Sequence, residues 1–97
     1  MALDYTIERE GDEARGRYVV RLPDSGEAEL TYRHLDPRTV VADHTGVPPA
    51  HRNKGIALKL VERLIADARA EGLRIVPQCS YVAAQFRRHP EWAALMA

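Results

Sequence analysis

Two places in the sequence carry residue types that can do chemistry. The first is Arg52-Asn53-Lys54-Gly55-Ile56-Ala57, a basic turn with one glycine at the mouth of a helical pattern. The first turn of a helix leaves up to four N–H groups without partners, and the macrodipole places roughly half a positive charge there. A phosphate satisfies both. Arg52 and Lys54 add formal charge, Gly55 lets a phosphate approach the backbone, and Ala57 is small where the helix must stay close to a ligand. Either the turn only starts the helix, or it holds an anion. It is not a P-loop, since G-x-x-x-x-G-K-[ST] is absent, and it is not the dinucleotide fingerprint G-x-G-x-x-G. The second place is Cys79, the one cysteine. It stands at the end of a strand-like run and just before a helix start, a position that lowers a thiol pKa. The bland reading is a small buried thiol.

The elements that must position these residues follow from periodicity. "DYTIERE" alternates Tyr5, Ile7 and Arg9 against Thr6 and Glu8, a short strand, and "EGDEARG" reads as a turn. "RYVVRL" is a second strand, closed by the turn Pro23-Asp24-Ser25-Gly26. In "EAELTYRHL", Leu30, Tyr32 and His34 share one face, a half-buried third strand; His34 is expected near His44 of the next. "RTVVADHTGV" is a fourth strand, stopped by Pro48-Pro49. These four form an antiparallel meander. The period then changes. Ala57, Leu60, Val61, Leu64, Ile65 and Ala68 recur at helical spacing, predicting an amphipathic helix over about 53–71 with Gly72 as its stop. A fifth strand is expected over about 73–79, at an edge or bulge because of Pro77. Ser80 is expected to cap a short helix, "YVAAQFRRH", and "EWAALMA" to add a last turn. Strand, long helix and strand make a βαβ unit with parallel strands. The fold class is α+β, in a single domain over residues 1–97.

Composition narrows the function. The 97 residues suit one modest core, with 45% hydrophobic and 29% charged residues. Fourteen Lys and Arg balance fourteen Asp and Glu, which argues against a sequence-independent nucleic-acid binder. No apolar run approaches the ~20 residues that span a bilayer. "MALDYTIERE" lacks the pattern of a signal peptide, and one cysteine gives no internal disulfide. Cytoplasmic residence, with no membrane or nucleic-acid partner and no metal, is the expectation.

The flanks of the basic turn add a resemblance. Val47-x-Pro49-x-x-Arg52-x-x-Gly55-x-Ala57, between a strand and a long helix, resembles the acetyl-CoA motif R/Q-x-x-G-x-G/A of the GNAT (general-control-type N-acetyltransferase) superfamily. "HTGVP", "KGIALKLVE", "IVPQCSYV" and "RRHPEW" look like its very short single-domain branch, over about Leu30 to Trp92. The resemblance implies a GNAT-like fold, acetyl-CoA as co-substrate and an amine acceptor. The backbones of Thr45 and Val47 would pair with the pantetheine arm. The N–H groups of Asn53, Lys54, Gly55, Ile56 and Ala57 would hold the pyrophosphate, with Arg52 and Lys54 reaching its oxygens. The fourth and fifth strands would splay around the thioester, and Cys79 would face the reacting carbon as nucleophile or general acid. His44, beside Thr45, is the candidate general base. His51 and His89 are expected in exposed loops, and "RRH" on a solvated face or at the CoA 3′-phosphate.

The chain departs from larger relatives at three points. Asn53 replaces the usual glycine after the motif arginine. Gln85-Phe86-Arg87 stands where a tyrosine often protonates the departing thiolate, and Tyr81 falls on another part of that helix. The N-terminal helices that shape the acceptor pocket are missing, so the acceptor side should be open or completed by a partner. The expected function is an acetyl-CoA-binding protein that moves acetyl to an amine, as a monomer or weak dimer. The alternative is a CoA- or acyl-CoA-binding or partner-docking module without turnover.

Overall fold

The computed structural model describes residues 5–97. β1 (Glu8–Gly11), β2 (Arg15–Arg21), β3 (Glu27–Asp36) and β4 (Thr39–Gly46) pair antiparallel in chain order. The helix α1 (Ile56–Glu71) leads to β5 (Arg74–Pro77), which joins β4 in parallel. The helix α2 (Ser80–Arg88) and a 3₁₀ segment, Pro90–Leu95, complete the chain. The meander, the βαβ unit and the edge position of β5 are as the sequence predicts.

Hydrophobic periodicity explains the layering. Leu60, Val61, Leu64, Ile65 and Ala68 of α1 are buried against Tyr18, Leu30, Tyr32, Val40 and Ile75 of the sheet. Val82, Phe86 and Trp92 extend the same core. Both helices therefore cover one face, and the other is polar. There Arg17 binds Glu10, Glu27 and Glu29, and Arg21 binds Glu8, Glu10 and Glu27. Val19, between Arg17 and Arg21 on β2, is fully buried on this face. No described helix is long and apolar enough to cross a membrane.

Several boundaries differ from expectation, each for a local reason. Asp4, counted into the first strand, lies outside the described residues. Tyr5 and Ile7 pack against the core as the alternation requires, but the ladder begins only at Glu8. Gly11 and Gly16 face each other within the hairpin, and the turn shrinks to three residues because Asp12 accepts the N–H groups of Ala14 and Arg15. The α1 helix starts at Ile56, not near residue 53, because Asn53 (φ 66°) and Gly55 (φ 79°) are left-handed. The fifth strand stops at Pro77, short of Cys79. The residue capping α2 is Cys79; Ser80 is already helical. At the far edge, Met96 bridges Ile75 in parallel and Ala97 donates to its carbonyl at 2.8 Å.

Candidate functional site

The site begins where two strands part. β4 and β5 pair only from Thr39–Ala42 to Arg74–Pro77. Proline has no N–H to continue the ladder. One bond follows, from the Cys79 N–H to the Ala42 carbonyl at 2.9 Å. Beyond it β4 carries on without β5, paired with β3 alone. At that point β4 also holds an extra residue against β3: Thr31 pairs with His44 and Tyr32 with Ala42, which leaves Asp43 as a bulge.

On the helix-covered face a cleft of about 640 Å³ opens beside the end of β4 that β5 no longer pairs. Thr45 and Val47 form one wall. Arg52 and Asn53, with the helix start Gly55, Ile56 and Ala57, form a second. The first helical bond runs from the Lys59 N–H to the Gly55 carbonyl at 3.2 Å. The N–H groups of Ile56, Ala57 and Leu58 therefore have no intrahelical partner. Lys54 is exposed and does not line the cleft. Arg52 Nε donates to the Val47 carbonyl at 3.2 Å, tying the motif arginine to the end of the strand.

His51 corrects an expectation. Its side chain is only 13% exposed, and Nε2 lies 2.9 Å from an Asp24 carboxylate oxygen in the β2–β3 turn. It lines the same cleft. His89 is not a loose loop residue either: Nδ1 donates to the Gln85 carbonyl at 2.8 Å, and the ring stacks on Trp92 at 4.0 Å.

The structure separates the two residues expected to do chemistry. Cys79 Sγ is 3.6 Å from Thr45 Oγ1, on the cleft side, since Thr45 pairs with buried Leu30. Burial pushes its pKa up, but the N–H of Val82, the Thr45 hydroxyl and the N–H of Tyr81 outweigh this, and the thiol sits below its ordinary range. His44 is on the opposite, open face, 59% exposed and 3.8 Å from Glu29. It does not meet His34, which pairs with Val40 and packs edge-on to Tyr32.

Sequence reading did not foresee two arrangements. Tyr81, Gln85 and Arg88 of α2, read separately from the sequence, together form the third wall of the cleft. Their spacing of four and three residues marks one helical face, a signal available beforehand. Burial raises the Tyr81 pKa, so its hydroxyl keeps its proton. Asp43 lines a second hollow, of about 530 Å³, on the open face. No periodicity reveals it, because a bulge exists only once two strands are in register. Among the described residues, no group of three or more His, Cys, Asp or Glu side chains could hold a metal ion.

Comparison with known proteins gives a consistent picture. Residues 17–95 match the GCN5-related N-acetyl-transferase family. The chain is 32% identical over 85 residues to Protein NATD1 of Gallus gallus, covering 87% of this chain and 77% of that one. Protein NATD1 of Homo sapiens is 32% identical over 85 residues, covering 87% and 75%. In fold, the chain is similar to a GCN5-like putative N-acetyltransferase from Staphylococcus aureus. The TM-score is 0.72 at 23% identity, over 96% of this chain and 88% of that one.

Proposed function

The chain belongs to the GCN5-related N-acetyltransferase family, and from that premise we propose that it binds acetyl-CoA and transfers the acetyl group to an amine. The observation that carries this reading is the parting of β4 from β5 beside the Arg52–Ala57 turn. The free N–H groups at the start of α1, with Arg52 and Lys54, would hold the pyrophosphate. The backbones of Thr45 and Val47 would align the pantetheine arm, bringing the thioester to the gap beside Cys79. The amine approaches from the open face. It loses a proton, its nitrogen bonds to the thioester carbonyl, and the tetrahedral intermediate expels CoA thiolate, which takes up a proton. Asp43 and His44, adjacent on that face, are positioned to receive the first proton. Cys79 or Tyr81, on the cleft side, supplies the second. Proximity of amine and thioester accounts for much of the rate.

One observation favours the second reading, a CoA-binding module without turnover. Gln85-Phe86-Arg87 stands where larger relatives often carry a tyrosine; none of the three has a hydroxyl to offer, and Phe86 is buried against Trp92. The hydroxyl of Tyr81 in the cleft wall answers that objection. Native mass spectrometry of the protein purified from cells tests both readings. CoA or acetyl-CoA travelling with the chain is expected. A chain that carries neither, and takes up none at millimolar acetyl-CoA, would exclude them.

A further inference from the structure

The open-face hollow carries charges that the rest of that face does not explain. Four arginines of β2 and β3 point outward: Arg15, Arg17, Arg21 and Arg33. Arg17 and Arg21 are each saturated by three glutamates. Arg15 and Arg33 are not. They face each other directly across the β2–β3 ladder, a like-charge pairing that is unfavourable unless an anion joins them. Among the described residues Arg15 has no carboxylate within 4.0 Å, and Arg33 has only Asp43, with Nε 4.0 Å from Oδ2. The other end of Arg33 is fixed, since Nη2 donates to Gln78 Oε1 at 3.1 Å. Both arginines line the hollow.

The acids around them are mostly engaged. Glu10 binds Arg17 and Arg21, and Asp12 holds the turn N–H groups. Asp43 Oδ2 takes no hydrogen bond among the described residues and has Arg33 Nε at 4.0 Å as its ion-pair partner, while Oδ1 accepts from the Thr31 hydroxyl. The hollow thus has an anion-binding end and a cation-binding end. Its volume, about 530 Å³, suits a small molecule. The cation end is next to the gap, for Asp43 follows Ala42, whose carbonyl takes the Cys79 N–H.

We propose that this hollow receives the acceptor as a zwitterion, an α-amino acid whose carboxylate lies between Arg15 and Arg33 and whose amine lies at Asp43. The assignment rests on the acetyl-transfer reading and names its substrate class. The chemistry balances without redox. The ammonium gives one proton to Asp43, the neutral nitrogen forms the C–N bond, the C–S bond breaks, and the second nitrogen proton passes to the departing thiolate, directly or by replacing the one that Cys79 or Tyr81 supplied. The products are an N-acetyl amino acid and CoA. Acetylation also removes the positive charge that Asp43 attracts, which favours product release.

The test pairs each amino acid with the amine that lacks only its carboxylate. Phenylalanine against phenethylamine and valine against isobutylamine serve as probes, with spermidine as a cationic control. Acetylated product is measured by mass spectrometry at saturating acetyl-CoA. The amino acids should exceed their partners by at least tenfold in kcat/KM. Arg15→Gln and Arg33→Gln should each erase that preference through KM, with the acetyl-CoA-induced rise in Tm unchanged. Both side chains are exposed, and unaltered melting of the unliganded variants checks the fold. Equal or better use of the amines or spermidine overturns the proposal, as does acetylation of none of the probes by a chain that binds acetyl-CoA. Preference retained in the arginine variants overturns it too. An absent acetyl-CoA shift in the parent sinks the transfer reading itself, and this assignment with it.

Discussion

At the scale of single residues, Cys79 and Gly55 make separable predictions. The Cys79 sulfur sits at the cap of α2, with two N–H dipoles and the Thr45 hydroxyl facing it. These favour the thiolate more than burial disfavours it, so the thiolate should appear at lower pH than for an ordinary thiol, whose pKa is about 8.5. The pH profile of iodoacetamide alkylation reads this directly. Thr45→Val should move the midpoint up; a parent midpoint at or above the ordinary value would remove Cys79 from the list of activated groups. Gly55 bears on cofactor binding. Its φ is 79°, and a Cβ built there meets nothing within 4 Å. A side chain therefore costs backbone strain of about 1–2 kcal/mol but no clash. Gly55→Asp should fold, yet lose at least tenfold in acetyl-CoA affinity by calorimetry, because it places a negative charge at the helix start. Parental affinity in that variant would put the phosphate elsewhere.

At the scale of elements, the loop between β4 and α1 is held from outside. Arg52 ties it to Val47, and His51 ties it to Asp24 in the β2–β3 turn, 27 residues away. His51, then the Gly26 N–H, hold the Asp24 carboxyl below its usual range. A carboxyl whose folded pKa is depressed contributes stability above its unfolded value, about 3.9, and loses it as pH falls through the lower folded value. The anchor on the aspartate side is thus intact at neutral pH. Asp24→Asn should weaken acetyl-CoA binding by roughly threefold to tenfold, since the loop is less fixed, and should flatten the acid limb of the stability profile. Binding and acid limb both unchanged would mean that the pair is only a surface contact.

At the scale of the molecule, one-sided packing decides which face of the sheet carries a walled cleft and which stays open. Both helices lie on one face, so the cleft has walls on that side and the opposite face of the sheet stays open. β1 and β2 are joined by the short Asp12–Ala14 turn, with no helix between them. A ligand that binds only the folded chain stabilises it by about 2.7 kcal/mol at one hundred times Kd. For a domain of this size that corresponds to a rise in Tm on the order of 10 °C. Differential scanning fluorimetry across an acetyl-CoA titration measures it. A flat melting temperature up to millimolar acetyl-CoA is the result that would discard cofactor binding.

Local patterns determined what the sequence alone could determine. The periodic run from Ala57 to Ala68 specified α1 and its buried face, because side chains three and four apart must share a surface. The Arg52–Ala57 turn was legible for the same reason, since charge, glycine and helix start are all contiguous. The tertiary structure decided whatever depends on two strands meeting. Cys79 meets Thr45 across 34 residues, and His51 meets Asp24 across 27. The bulge at Asp43 turns that residue and His44 to the open face and leaves Cys79 on the other side. The facing of Arg15 and Arg33 is likewise a matter of register. Period-2 alternation states which residues share a face of one strand; only pairing states which residue of the next strand stands opposite, and one extra residue changes the answer.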